Sequence, residues 1–194
     1  MVNYAHALYH SRFYGAGKTT ASKFLLPEVF YTDIFINADI IAAEINPLNP
    51  EQAAMQAGRL MLQQIQQRLA AKDTFAIETT LATRTYLNLV KQAKLLEYEV
   101  VLFFFYLPSA EMAKERVKLR VSKGGHNIPP DVIERRYFAG IRYLFEYIKI
   151  VNNWFAYKND QSPPLLISEG ERDYVNKIHN FEIWEQLKQI RDSQ

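Results

Sequence analysis

Eight consecutive residues, Glu99-Val-Val-Leu-Phe-Phe-Phe-Tyr106, constrain this chain more than any other stretch. A strand with one wet face alternates apolar and polar residues; this run does not alternate, so it reads as a strand buried on both faces. Such strands belong chiefly to parallel α/β sheets covered by crossover helices. With 194 residues, 48% of them hydrophobic, the chain suits one such core and is tight for two. We therefore expect a single α/β domain over residues 1–194. The apolar run 100–107 is far too short to cross a bilayer, and no basic segment leads into an apolar stretch at the N-terminus. Without cysteine, disulfides, thiolate metal sites and cysteine nucleophiles are excluded. The expected location is the cytoplasm, with no membrane partner, and a net charge of +2 gives no reason to expect nucleic acid.

Short apolar runs alternate with longer periodic segments. Residues 17–26 read as a first helix ending near Pro27, and residues 33–37 as a short strand. Asn49-Pro50 supplies an N-cap and a proline at the first helical position, opening a helix with Ala54, Ala57, Met61, Ile65 and Leu69 on one face. Residues 74–78 and 99–106 read as strands, with a helix over 86–96 between them. Ser109 caps a helix over 110–122, stopped by Gly124-Gly125. A polar loop leads to a long helix over 131–149, and we take 122–136 as a lid region. Residues 154–157 and 165–167 read as last strands, and 182–191 as a closing helix. Between 135 and 158 aromatic and basic residues interleave, but Tyr137, Ile141, Leu144, Phe145 and Ile148 recur at helical spacing and read as core rather than a nucleic-acid stacking surface.

The sharpest chemical signal is Gly15-Ala16-Gly17-Lys18-Thr19-Thr20. A phosphate loop cradles a polyphosphate with main-chain N–H groups at a helix N-terminus, its lysine reaching the β/γ-phosphates and the next hydroxyl holding Mg²⁺. Lys18 and Thr19 stand where those roles require. The pattern also wants glycine five residues before Gly17, where this chain has Arg12, and Phe13 and Tyr14 are bulky where phosphate must approach. The stretch is an incidental glycine-rich turn, a degenerate loop, or an intact loop whose upstream part is read out of frame. We favour the last. Written back into allowed codons and read one base later, residues 6–14 can spell Met-Pro-Tyr-Ile-Ile-Ala-Gly-Ser; one restored base in the Tyr14 codon then gives Asn and returns to the present frame. Residues 1–14 would then be an out-of-frame segment, which the gene's DNA decides.

In parallel sheets, chemistry gathers beyond the carboxyl ends of the strands. Asp39 follows one strand and can accept a substrate hydroxyl's proton, hold a metal's water shell, or cap the helix at 40–45. Glu78-Thr79-Thr80-Leu81, with Arg84 close behind, can hydrogen-bond a polyhydroxylated substrate and one of its phosphates, or cap the next helix. Arg116 and Arg120 share a helical face, and Arg135-Arg136 follow the loop. Each is either a solvated surface charge or one of the cations that phosphoryl transfer needs.

Taken together, Gly-Ala-Gly-Lys-Thr-Thr, Ile-Asn-Ala-Asp at 36–39, Asn-Pro-Leu-Asn-Pro at 46–50 and Glu-Thr-Thr-Leu-Ala-Thr-Arg at 78–84 resemble the zeta-toxin-like family of P-loop small-molecule kinases. Glu-Arg-Val-Lys-Leu-Arg-Val at 115–121, Gly-Gly-His-Asn-Ile-Pro at 124–129 and Arg-Arg-Tyr at 135–137 extend the likeness to about residue 157. The resemblance implies a three-layer α/β/α, adenylate-kinase-like P-loop fold with a mainly parallel sheet and a small helical lid. It implies ATP and Mg²⁺, and a phosphotransferase acting on a hydroxyl of a small metabolite, with UDP-N-acetylglucosamine the acceptor of the family's toxins. Gly15, Ala16, Gly17, Lys18, Thr19 and Thr20 would hold ATP, with Thr19 on the metal. Asp39 would be the base, Glu78 and Thr80 would contact the acceptor, and Arg120 or Arg116 with one of Arg135 and Arg136 would neutralise the γ-phosphate. An antitoxin protein is an implied partner. Arg12 departs from the family pattern, as does Asn152-Asn153 where an acidic residue is expected before Trp154. The competing readings are a catalytically impaired nucleotide-binding or regulatory module and a kinase of nucleic-acid ends.

Overall fold

The unalternating run at 99–106 is the middle of the sheet. In a computed structural model describing residues 6–12, 32–122 and 127–193, seven strands lie in the order β2-β3-β1-β4-β5-β6-β7. They are β1 (His6–Arg12), β2 (Phe35–Asn37), β3 (Phe75–Thr79), β4 (Glu99–Tyr106), β5 (Asn153–Lys158), β6 (Leu165–Glu171) and β7 (Tyr174–Ile178). The first five are mutually parallel, and β6 and β7 extend the sheet antiparallel. β4 turns Val100, Leu102, Phe104 and Tyr106 to one buried cluster and Val101, Phe103 and Phe105 to another, which accounts for the missing alternation.

The helices are α1 (Ala38–Ile45), α2 (Pro50–Ala71), α3 (Thr85–Leu95), α4 (Ala110–Ser122), α5 (Pro130–Tyr147) and α6 (Phe181–Asp192). All six contribute to the first cluster. The second is formed, among the described residues, by strand residues alone: Ala76, Val101, Phe103 and Phe105, flanked by Phe35, Phe155 and Tyr157. Phe103 stacks on Phe155 and Phe105 on Tyr157, with centroids 5.2 and 5.3 Å apart. The described residues thus present one helical layer of the expected three-layer arrangement.

Local signals place most elements. Ser109 Oγ accepts the Met112 N–H and caps α4 as expected. Pro50 opens α2, although Asn49 makes no side-chain cap bond. The buried face of α2 is Ala53, Ala57, Met61, Ile65 and Leu69; Ala54, expected there, is exposed. An alanine at either position satisfies the period, and packing selects Ala53. The expected core residues of α5, Tyr137, Ile141, Leu144 and Phe145, are buried, as is Ile148 just after it. Residues 130–136, read as part of a lid, are the opening turns of α5. The expected helix at 17–26 and the glycine stop at 124–125 lie outside the described residues.

One strand expectation changes. The run at 165–167 continues to Glu171 and returns through β7, which the sequence reading omits. All five β7 residues are exposed, so no apolar face marks the strand. Its hairpin is fixed by a close approach: a Cβ on Gly170 would lie 2.0 Å from the Tyr174 carbonyl oxygen and 2.5 Å from the Trp154 ring. That ring stacks on Trp184 of α6 at 5.4 Å, and its Nε1–H donates to the Arg172 carbonyl. Residues 6–12 end close to the polar pair His10-Ser11, a poor sequence for a central strand. The chain nevertheless runs there between β3 and β4, pairing Ser11 with Thr79 and Arg12 with Phe105. Ladder hydrogen bonds use main-chain groups, which every residue but proline supplies in full.

Candidate functional site

The parallel order brings the carboxyl ends of β2, β3 and β1 side by side, and the chain leaves β1 there toward the glycine–lysine segment. Gly15, Ala16, Gly17, Lys18, Thr19 and Thr20 all lie outside the described residues. Beyond the ends of β2 and β3 opens a cavity of about 470 Å³.

Asp39, Glu78, Thr80 and Arg136 border this cavity together. Asp39 occupies the first turn of α1 but is not its cap. Asn37 is: its Oδ1 accepts the Asp39 N–H at 2.7 Å and the Ile40 N–H at 3.4 Å. A carboxylate in a helix's opening turn is held by the positive end of the helix dipole. Glu78 does not cap the following helix either, since α3 begins seven residues later and its cap position, Arg84, makes no side-chain cap bond. Instead Glu78 Oε2 accepts a 2.8 Å hydrogen bond from Asn37 Nδ2. The cavity thus holds three carboxylates, of which Asp39 and Glu78 are spaced by the Asn37 amide and Glu51 lies apart from them, with hydroxyls from Thr79, Thr80 and Thr83 and one guanidinium.

The far wall comes from α2 and from the segment before α5. Glu51, in the first turn of α2, accepts the Asn127 main-chain N–H at 2.7 Å, tying that segment across the cavity to a residue 76 positions away. Met61 and Tyr86 form a less polar floor, with the phenol 3.4 Å from the thioether sulfur. Among the described residues, no group of three or more His, Cys, Asp or Glu could hold a metal ion.

The other expected site residues lie elsewhere. Arg84 is exposed and borders a separate groove with Gln66, Asn88 and Gln92 between α2 and α3. Arg135 is exposed, whereas its neighbour Arg136 reaches the cavity. Arg116 and Arg120 are half-buried on α4 and do not border it. Burial lowers the Arg116 pKa from its ordinary value, opposed by the nearby carboxylate of Asp160. Asn152, in the stretch where the family resemblance expects an acid, accepts hydrogen bonds from Lys94 Nζ at 2.6 Å and the Val100 N–H at 2.8 Å. Asn37, Glu51, Thr83, Tyr86 and Asn127 are site residues that sequence reasoning missed; Asn37, Thr83 and Asn127 stand within quoted motifs, which is their local signal, whereas Glu51 and Tyr86 lie outside them.

No family model matches the chain. An uncharacterised protein of Haemophilus influenzae is 32% identical over 131 residues, spanning 68% of this chain and 91% of that protein. The chain belongs to that protein's family. Its fold is shared with solved structures of low sequence identity. A structure from the PezAT chromosomal toxin–antitoxin system of Streptococcus pneumoniae matches 99% of this chain and 86% of its own, with a TM-score of 0.64 and 16% identity. The complex of AvrRxo1-ORF1 and ORF2 with ATP matches 95% of this chain and 63% of its own, at a TM-score of 0.68 and 12% identity. A gluconokinase from Sinorhizobium meliloti matches 82% and 86%, at 0.50 and 14%. Among the described residues, no helix is long and apolar enough to cross a membrane.

Proposed function

We propose that this protein is an ATP-dependent phosphotransferase acting on a hydroxyl of a small metabolite. One observation carries the reading: a single cavity beyond the carboxyl ends of β2 and β3 gathers Asp39, Glu78, Thr80 and Arg136, beside the strand that leads into Gly15–Thr20. Asp39 takes the acceptor's proton, Glu78 and Thr80 hold its hydroxyls, and Arg136 faces the transferring phosphoryl group. Gly15 to Thr20 hold the triphosphate, with Lys18 on its β/γ-phosphates and Thr19 on Mg²⁺, as the resemblance implies. ATP with Mg²⁺ supplies the phosphoryl group and part of the charge neutralisation; the described residues supply the acceptor side. Hydroxyls, carboxylates and one guanidinium suit a sugar-nucleotide-like acceptor, and UDP-N-acetylglucosamine is the first to test. An antitoxin protein is the partner we propose, by analogy with the PezAT system. A substrate of this kind places the protein in the cytoplasm.

A second reading is favoured by β1, which stays extended through Arg12 and pairs it with Phe105, where the family resemblance calls for the loop's first glycine. On that reading the chain is an impaired nucleotide-binding or regulatory module. Two proteins separate them: the chain itself, and one carrying Arg12→Gly, Phe13→Ser and Tyr14→Asn, each titrated with ATP and then supplied with a panel of hydroxyl acceptors. Transfer by the rebuilt protein, abolished by Lys18→Ala, supports the kinase. Rebuilt protein that binds no ATP supports the impaired module.

A further inference from the structure

Asn37 is 7% exposed, at the carboxyl end of a short strand, and directly opposite Glu78 in the parallel register of β2 and β3. Side chains of paired residues on neighbouring strands leave the same face of the sheet about 5 Å apart, within reach of one amide. Its two halves are both used, in opposite senses. Nδ2 donates to Glu78 Oε2 at 2.8 Å, and Oδ1 accepts the Asp39 N–H at 2.7 Å. The orientation of the amide follows from chemistry: turned over, it would set an oxygen against a carboxylate and an NH₂ against an N–H.

We infer that Asn37 is a positioning residue that couples two of the acceptor cavity's carboxylates, aiming Glu78 through its donor half and anchoring the turn that carries Asp39 through its acceptor half. The inference rests on the kinase reading for its purpose but not for its geometry. A helix cap alone needs only an acceptor, and aspartate, serine and threonine serve as well as asparagine. The pairing with a buried-edge carboxylate is what demands a donor on the same side chain. Aspartate is therefore the informative replacement: it keeps the cap oxygen and the shape, removes the donor, and sets like charge against Glu78.

The test has a spectroscopic arm and a turnover arm. In the ¹⁵N-labelled full chain, one Asn37 side-chain amide proton resonates downfield and moves upfield in Glu78→Gln, with the Asp39 and Ile40 amides undisturbed. Asn37→Ala speeds hydrogen exchange of the Asp39 and Ile40 amides about fivefold, and Asn37→Asp and Asn37→Ser restore their protection. If Glu78→Gln leaves the side-chain resonances in place, or Asn37→Ala leaves exchange unchanged, the coupling is refuted. In whichever protein transfers phosphate from ATP to a hydroxyl, Asn37→Asp and Asn37→Ser lower kcat about 10²-fold with the KM for ATP unchanged. Full turnover by these variants would reduce Asn37 to a helix cap and overturn its positioning role. Absence of transfer by the unsubstituted proteins would refute the kinase reading, while the spectroscopic arm would still decide the coupling.

Discussion

Replacing Asp39 by asparagine separates the catalytic role of its carboxylate from its structural one. Asparagine has the same shape but accepts no proton, and the main-chain N–H held by Asn37 is untouched. What the fold loses is a negative charge in the first turn of α1. At a half-exposed position that interaction is worth about 0.3–1 kcal/mol, or a fall in Tm of about 1–4 °C for a chain of this length. What the reaction loses is its base, a cost of about 10²–10⁴ in kcat, equivalent to about 3–5 kcal/mol of transition-state stabilisation. The activation term thus exceeds the stability term severalfold. Single-turnover transfer from labelled ATP to the acceptor, together with calorimetry on the same preparation, measures both. A variant that keeps its Tm within this range and turns over within about threefold of the parent would refute the assignment of Asp39 as base.

The adjacent arginines on α5 should behave unequally: Arg136→Met lowers kcat/KM about 10²–10³-fold, whereas Arg135→Met, altering an exposed side chain, stays within about threefold. Equal losses in steady-state assays would contradict the geometry. Gly170→Ala forces a Cβ against the Tyr174 carbonyl and the Trp154 ring, costing about 3 kcal/mol and lowering Tm by about 6–12 °C; an unchanged calorimetric Tm would show that the hairpin yields freely. Tyr98, Tyr106, Tyr137 and Tyr157 have phenol pKa values raised above the usual 10, chiefly by burial. Their stabilising contribution is full below that pH and is lost above it, because the unfolded chain releases protons that the folded chain retains. The urea midpoint should therefore fall as pH rises from about 10 toward 11.5, and a midpoint that rises across that window would refute the sign.

The parallel, two-sided burial of β4 could be read from its residues, because a strand covered on both faces shows an unbroken apolar run wherever it sits. Asp39 and Glu78 were legible for a related reason: each closes a strand pattern, and parallel sheets bring such ends together. Arg135 and Arg136 could not be ranked from sequence, since adjacent helical positions differ by about 100° in direction and only the packing of α5 decides which faces the cavity. Nor could β7 be found, because its exposed residues carry no apolar period and its pairing depends on the closeness of Gly170 to Trp154. The bridge from Asn37 to Glu78 spans 41 positions. The sequence by itself determined which segments form strands and helices, through short-range periodicity and capping. Only the tertiary structure decided which polar side chains share one cavity, because that depends on register between strands far apart in the chain.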